Sequence, residues 1–235
     1  MKIDIVIPYL HSPRNNGLEL RFCLRSIEKY LKDYNNIWII GDKPSWLKNC
    51  KHIPVKDSPY PRLKENNIYR KIIASCENDE VSENFIMFND DHFLLQPFTA
   101  HKFNYYHRGE LYDSMIKNKG SYRATLNHSK KVLEERGMPP LDFDCHAPII
   151  YNKQKFIKAF DGLVWKDWGY AIKSIYCGIN GIEGIYMPDC KISSNIPREI
   201  KLKVQNREWF STGNINPNME IFLSGLYPRK SKHEL

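Results

Sequence analysis

The sequence predicts an α/β domain in which a mostly parallel sheet is sandwiched by helices. Short β-branched runs alternate with stripes of apolar residues at helical spacing, the rhythm of strand–helix–strand units. The strands are near-continuously apolar instead of alternating, as expected of strands covered on both faces. One of them, Phe85-Ile86-Met87-Phe88, stops abruptly at Asn89-Asp90-Asp91-His92, and open α/β sheets bind ligands at the carboxyl ends of their strands.

The elements follow in order. Residues 3–7 form a buried strand ended by Pro8. Leu20, Leu24, Ile27 and Leu31 mark the apolar stripe of a first helix. Ile37-Trp38-Ile39-Ile40 is a second strand closed by Gly41-Asp42, and Ile53-Pro54-Val55 a short edge strand, because proline cannot donate to a ladder. Tyr69, Ile72, Ile73 and Cys76 mark a second helix leading to the Phe85–Phe88 strand. Residues 100–140 are aromatic, basic and poorly periodic, the composition of a substrate-facing insertion. Order returns with a strand at Pro148–Tyr151, a helix around Lys153–Phe160, and another beginning near Asp167 with Trp168, Ala171, Ile172 and Ile175 on one face. After Pro188 the pattern is irregular, broken at Pro197 and Pro217, and ends in a short apolar turn at 221–226.

Length and composition suit one globular domain of 235 residues. Lys and Arg outnumber Asp and Glu by 35 to 27, and residues 191–235 hold eight of the cations against four Glu, half of the net +8. A basic surface favours polyanions: nucleic acid, acidic glycan or anionic lipid. The six cysteines contain no C-x-x-C pair, which argues against a zinc ribbon or thioredoxin-type site and fits a reducing compartment. The N-terminal apolar run is too short for a signal peptide, and no stretch approaches the ~20 apolar residues of a membrane span. A cytoplasmic location is expected.

Two adjacent acids at a buried strand end repel one another and lose hydration, a placement that a divalent cation offsets. The pair Asp90-Asp91, with His92 beside it, therefore reads as a metal site that holds the phosphates of a substrate. A solvated turn, with His92 a core or surface histidine, is the alternative.

The blocks Asp4-Ile5-Val6-Ile7-Pro8, Glu19 through Tyr30, Ile39-Ile40-Gly41-Asp42, Pro44-Ser45-Trp46-Leu47 and Asn84 through Phe93 stand in an order that resembles the GT-A nucleotide-sugar transferases. Within that fold they are most similar to the Stealth-type sugar-phosphate transferase domains. Cys145-His146-Ala147-Pro148 matches a histidine–proline segment of those domains, while their closing arginine-rich block is not recognisable. The resemblance implies a nucleotide-sugar- and metal-binding half over residues 1–100 and an acceptor half over 101–235 with a basic C-terminal tail. It implies a nucleotide-sugar donor, a UDP-sugar by preference, and Asn89-Asp90-Asp91 as a variant Asp-x-Asp motif, with Asp91 the direct ligand of Mn²⁺ or Mg²⁺, Asp90 on the metal or the donor ribose, and His92 a third ligand, since imidazole suits Mn²⁺. It also implies that Pro8 and Tyr9 border the base and that Asp42 accepts from base or ribose. Arg70 and Lys71, after the loop with Asn66 and Asn67, either reach the diphosphate or belong to a solvated helix face.

Direct glycosyl transfer needs a base for the acceptor hydroxyl, and Asp167, at the expected helix start, is the first candidate, with Asp142 and Asp144 as competitors. In sugar-phosphate transfer His146 takes that role, by analogy with the Stealth-type domains. The acceptor is either a glycan, stacked on Trp165, Trp168 or Trp209, or DNA with hydroxymethylated pyrimidines, held by the basic tail and the Lys102–Lys131 region. Glycosyl transfer is the leading expectation and sugar-1-phosphate transfer its alternative. A non-catalytic polyanion- or nucleotide-binding module is the rival of another class, and a two-metal nuclease ranks last.

Overall fold

The computed structural model describes residues 2–12, 15–60, 64–165 and 169–235. The chain runs β1 (Ile3–Tyr9), α1 (Leu18–Tyr30), β2 (Leu31–Lys32), β3 (Tyr34–Gly41), β4 (Lys51–Ile53), α2 (Lys64–Cys76), β5 (Asn84–Met87), β6 (His92–Leu94), β7 (Phe98–Thr99), β8 (Tyr106–His107), α3 (Leu111–Lys117), α4 (Gly120–Glu135), β9 (Ile149–Asn152), α5 (Lys153–Phe160), α6 (Ile172–Ile179), β10 (Ile185–Tyr186), β11 (Lys191–Ile192), α7 (Pro197–Val204), β12 (Trp209–Thr212) and α8 (Pro217–Leu226). The central sheet has the order β4-β3-β1-β5-β9, parallel except for β9.

Side chains alternate across a strand, and β1 shows the consequence. Ile3, Ile5, Ile7 and Tyr9 enter one core with Leu20, Phe22, Cys23, Leu24 and Ile27 of α1; Val6 enters the other, with Ile72 and Cys76 of α2. Two covered faces explain the continuous apolar runs. Asp4 is the polar exception inside β1. It is 1% exposed, and its carboxylate accepts from Asn36 N–H at 2.9 Å, Ser82 N–H at 2.8 Å and Trp38 Nε1 at 3.2 Å.

A smaller sheet, β11-β12-β6, packs beside the first, with β6 and β12 antiparallel. The strands of the two expected halves interleave, since β9 completes the central sheet and β12 pairs with β6.

Four parts of the chain differ from expectation. Residues 100–140 hold two helices. The buried stripe of α4 is Thr125, Leu126, Ser129 and Leu133, and its small polar members hide the period. Pro197 and Pro217 open α7 and α8 at a position where the missing N–H costs nothing. The edge strand is 51–53, with Pro54 just beyond it. The C-terminal residues are no free tail: Ser231, His233 and Glu234 are buried, and the Leu235 N–H donates to Trp46 O at 2.9 Å.

Candidate active site

Strand β5 ends in a tight turn. The His92 N–H donates to Asn89 O at 3.2 Å, and the Asn89 N–H donates to His92 Nδ1 at 3.2 Å, so the imidazole closes the turn. Burial holds this ring well below its usual range and therefore neutral, and no atom of it is exposed. With Nδ1 accepting, the proton is on Nε2, which is buried and has no hydrogen-bond partner. His92 shapes the turn that displays the two acids.

Those acids face different neighbours. Burial, then Asp91 and Glu19, lift the Asp90 carboxyl to about 7. Burial also lifts Asp91, whose Oδ2 accepts from Ser211 Oγ at 2.8 Å and whose charge is eased by His146 and Lys191. Among the described residues no group of three or more His, Cys, Asp and Glu could hold a metal ion. Two adjacent carboxylates are a donor set that suits a hard divalent cation whose other positions are filled from outside the protein.

Near the turn lies a cavity of about 420 Å³, lined by Asn89, Ile68, Ile72, Met87, Arg108, Tyr122, Asp144, His146, Lys173 and Asp189 among others. His146 sits with φ 49°, a left-handed conformation costing a non-glycine residue about 1 kcal/mol. Its surroundings hold it there: Nδ1 donates to Asp189 Oδ1 at 2.8 Å, and the Lys173 ammonium donates to the next carbonyl, Ala147 O, at 2.6 Å. Burial works against the Asp189 charge. Hydrogen bonds from His146 and the Lys191 N–H, with Arg108, outweigh it and hold the carboxyl at about 2. Arg108 uses its whole fork, reaching Asp189 at 2.6 Å, Asp142 at 2.8 Å and the Tyr122 hydroxyl at 3.0 Å. Asp144 is lifted to about 7 by burial and by Asp142. Glu65, on the same wall, is also raised by burial. The Tyr151 hydroxyl, buried on another wall, has no partner.

With these positions fixed, the known proteins that the chain resembles can be set beside them. No protein-family model matches the sequence. The chain is 25% identical over 182 residues to the capsular polysaccharide phosphotransferase LcbA of Neisseria meningitidis, covering 68% of this chain and 47% of the relative. It is 31% identical over 103 residues to the capsular polysaccharide phosphotransferase CpsJ of Streptococcus thermophilus, 40% of this chain and 42% of that one. The chain spans about half the length of the curated relatives it matches. Among solved structures, the galactosyltransferase LgtC in complex with donor and acceptor sugar analogues superposes with a TM-score of 0.50 at 10% identity, covering 98% of this chain and 97% of that one. The fold is that of a GT-A glycosyltransferase.

The expected donor-site residues separate into two groups. Pro8, Tyr9 and Asp42 gather at the carboxyl ends of β1 and β3, where the Asp42 N–H donates to Tyr9 O at 3.3 Å and the exposed Asp42 carboxylate accepts from the His11 N–H at 2.9 Å. Gly41 has φ +120°, and a Cβ there would lie 2.1 Å from Tyr9 O, so only glycine fits. Lys71 and Asn67 are buried and internally engaged. The Lys71 ammonium donates to Tyr9 O and to Asp57, both at 2.9 Å, and the Asn67 amide clamps Ser58 through its N–H and its carbonyl. Their polar groups are spent on the protein itself, Lys71 on the carbonyl of Tyr9 at the end of β1 and Asn67 on the loop at Ser58.

Asp144 and His146 meet on one cavity. Asp167 and Trp168 lie outside the described residues, and the helix expected to start at Asp167 starts at Ile172. Trp209 is 1% exposed, packed among Phe98, Phe103 and Tyr106, and offers no face to a sugar. The sequence reading missed Arg108, Asp189, Ser211, Lys173 and Glu65. No local pattern joins His146 to an aspartate 43 residues away.

Proposed function

We propose that this domain transfers a sugar phosphate from a nucleotide-sugar donor to a hydroxyl of a saccharide, with His146 as the proton acceptor. The observation that carries the reading is the His146–Asp189 pair on the wall of a cavity beside the Asp90–Asp91 turn. An ionised Asp189 can only accept, so Nδ1 carries a proton, and in the neutral ring the lone pair is then on Nε2. In that form the ring can take the proton of an attacking hydroxyl, and the imidazolium formed is stabilised by Asp189. The acceptor oxygen forms a new bond to the sugar-linked phosphorus as the bridging P–O bond of the diphosphate breaks. A nucleoside monophosphate leaves, and the proton rests on His146. Asp90 and Asp91 would hold a divalent cation whose role is to offset the diphosphate charge. Lys173 and Lys191 add positive charge on the same wall. The names of the curated relatives support a polysaccharide acceptor. They lend nothing to DNA.

One observation favours a second reading. Asp144 lines the same cavity with its carboxyl at about 7, suited to a general base in direct glycosyl transfer, which the fold also accommodates. The leaving group separates the two. Incubation with Mn²⁺ or Mg²⁺ and a panel of nucleotide sugars should release a nucleoside monophosphate, lost in His146→Gln. Release of a diphosphate that survives His146→Gln and is lost in Asp144→Asn establishes glycosyl transfer instead. No release from any donor, with no donor binding, rejects both.

A further inference from the structure

Three polar groups on the cavity wall have no part in the proposed chemistry: Glu65, Tyr151 and, with His146 taking the proton, Asp144. Glu65 stands in the first turn of α2, Asp144 in the loop before β9 and Tyr151 in β9 itself, so the fold brings three separate parts of the chain to one space. Among the described residues neither the Glu65 nor the Asp144 carboxyl has a hydrogen-bond or ion-pair partner. Tyr151 is fully buried, with its ring held edge-on against Phe85, Phe156 and Tyr176, and its hydroxyl has no partner either. Buried polar groups are normally paired, so three unpaired ones on a single cavity point to a ligand that supplies the bonds.

The cations near these acids are committed elsewhere or lie at the rim. Lys173 eases both carboxyls, yet its ammonium donates to Ala147 O at 2.6 Å. Arg108 is held by Asp142, Asp189 and the Tyr122 hydroxyl. Lys64 eases Glu65 from an exposed position. The cavity is therefore divided in character. His146 and Lys191 are the cationic neighbours of Asp91 and suit phosphate. Asp144 has Asp142 and Glu65 as its like-charged neighbours, and its own charge reaches Tyr151. Ile68, Ile72 and Met87 add an apolar lining.

We propose that Glu65, Asp144 and Tyr151 form the acceptor subsite and that it takes a sugar unit carrying no acid, whose hydroxyls donate to the two carboxyls and pair with the Tyr151 hydroxyl. The proposal rests on the reading of this domain as a transferase to a saccharide hydroxyl. Hydroxyl groups suit all three positions, since each can donate to a carboxylate and either donate to or accept from a phenol. Their hydrogens bring the partial positive charge that the acids lack. A sugar acid would set a further carboxylate against Glu65 and Asp144, a juxtaposition of like charges that selects against it.

The test is ligand-observed NMR titration of the full chain with matched methyl glycosides, glucose against glucuronic acid, galactose against galacturonic acid and mannose against mannuronic acid. It is run at about pH 8, where the sugar acids are ionised and Asp144 is above its value of about 7. At least one neutral glycoside should bind about tenfold or more tightly than its acid. Glu65→Gln with Asp144→Asn should remove most of that gap. Tyr151→Phe should weaken the neutral glycoside about two- to tenfold and leave Tm at or above the wild-type value, because the hydroxyl it removes has no partner in the free protein. Equal affinity within every pair overturns the proposal, as does no binding of any glycoside, a gap untouched by the double variant, or neutral binding untouched by Tyr151→Phe. No donor is present, so the two readings fail separately. Nucleoside monophosphate release without the gap keeps the transfer chemistry and rejects the subsite, and the gap without that release keeps the subsite and rejects the chemistry.

Discussion

Two regions of this molecule bury carboxylates, and the carboxylates behave in opposite ways. Glu234 is 3% exposed. Burial opposes its charge, yet Arg25 reaches it at 2.7 Å, Arg21 at 3.2 Å and the Ser231 N–H at 2.9 Å, and together they hold it at about 2. For Asp90 and Asp144 burial comes first and neighbouring acids add to it, Asp91 with Glu19 in one case and Asp142 with Glu65 in the other. Both are pushed up to about 7 despite Lys71 near the first and Lys173 and Arg108 near the second. A buried carboxylate ringed by donors is a structural clamp. One left among like charges costs stability and marks where a ligand has to bring the missing charge. Burial alone therefore does not distinguish a functional acid from a structural one; its neighbours do.

The comparison breaks most sharply at the dyad. His146→Gln should lower nucleotide release by about 10²–10⁴-fold without moving Tm, read by steady-state kinetics beside thermal unfolding. Unchanged release would leave Asp144 as the base. Asp189→Asn keeps the shape but loses the charge that orients and supports the ring, and a loss of about 10²-fold or more is expected in the same assay.

On the structural side, Glu234→Gln should cost about 3 kcal/mol in urea unfolding, because Arg21 and Arg25 are left without their partner, while activity below the transition stays at the wild-type level. The pH dependence has a definite sign. The folded value of Glu234 is depressed to about 2, below its ordinary value, so its contribution is fully present above about pH 4 and lost as pH falls toward 2. The gap between wild type and Glu234→Gln should close over that range, and a gap constant from pH 7 to pH 2 would contradict the clamp.

The smallest expected effect tests the other centre. Mn²⁺ at saturating concentration should stabilise the wild-type protein by about 1–3 kcal/mol, a rise of a few degrees in Tm, and chelation should reverse it. Asp91→Asn should abolish the rise. Glu234→Gln should keep it, since that acid already has its cations.

The parts of this fold carried by dense local signals were legible in the sequence. Strands β1, β3, β5 and β9 are runs of large apolar residues, and α1, α2 and α5 carry stripes of them. The helices at 111–135 were not legible, because the buried side of α4 includes Thr125 and Ser129 in place of large apolar residues. Pro197 and Pro217 read as breaks when they are starts, since a proline at the first helical position and one in a loop look alike without the chain around them. The acid turn was legible as the abrupt end of a buried apolar run, but the hydrogen bond by which His92 closes it was not, because a ring that closes a turn and a ring that binds a metal have the same local sequence.

The sequence by itself determined the α/β architecture, the strand end that carries Asp90 and Asp91, and His146 as a residue of interest. Periodicity and abrupt changes of polarity are properties of neighbouring residues and survive in one dimension. The tertiary structure decided which of these groups have partners. It gave His146 its aspartate at position 189 and tied Arg108 to both Asp142 and Asp189. It turned Lys71 inward to Tyr9 and Asp57, and closed Glu234 onto Arg21 and Arg25. Charge, hydration and proton affinity depend on distances through space, and in a folded chain those distances are set by the packing of elements remote in sequence.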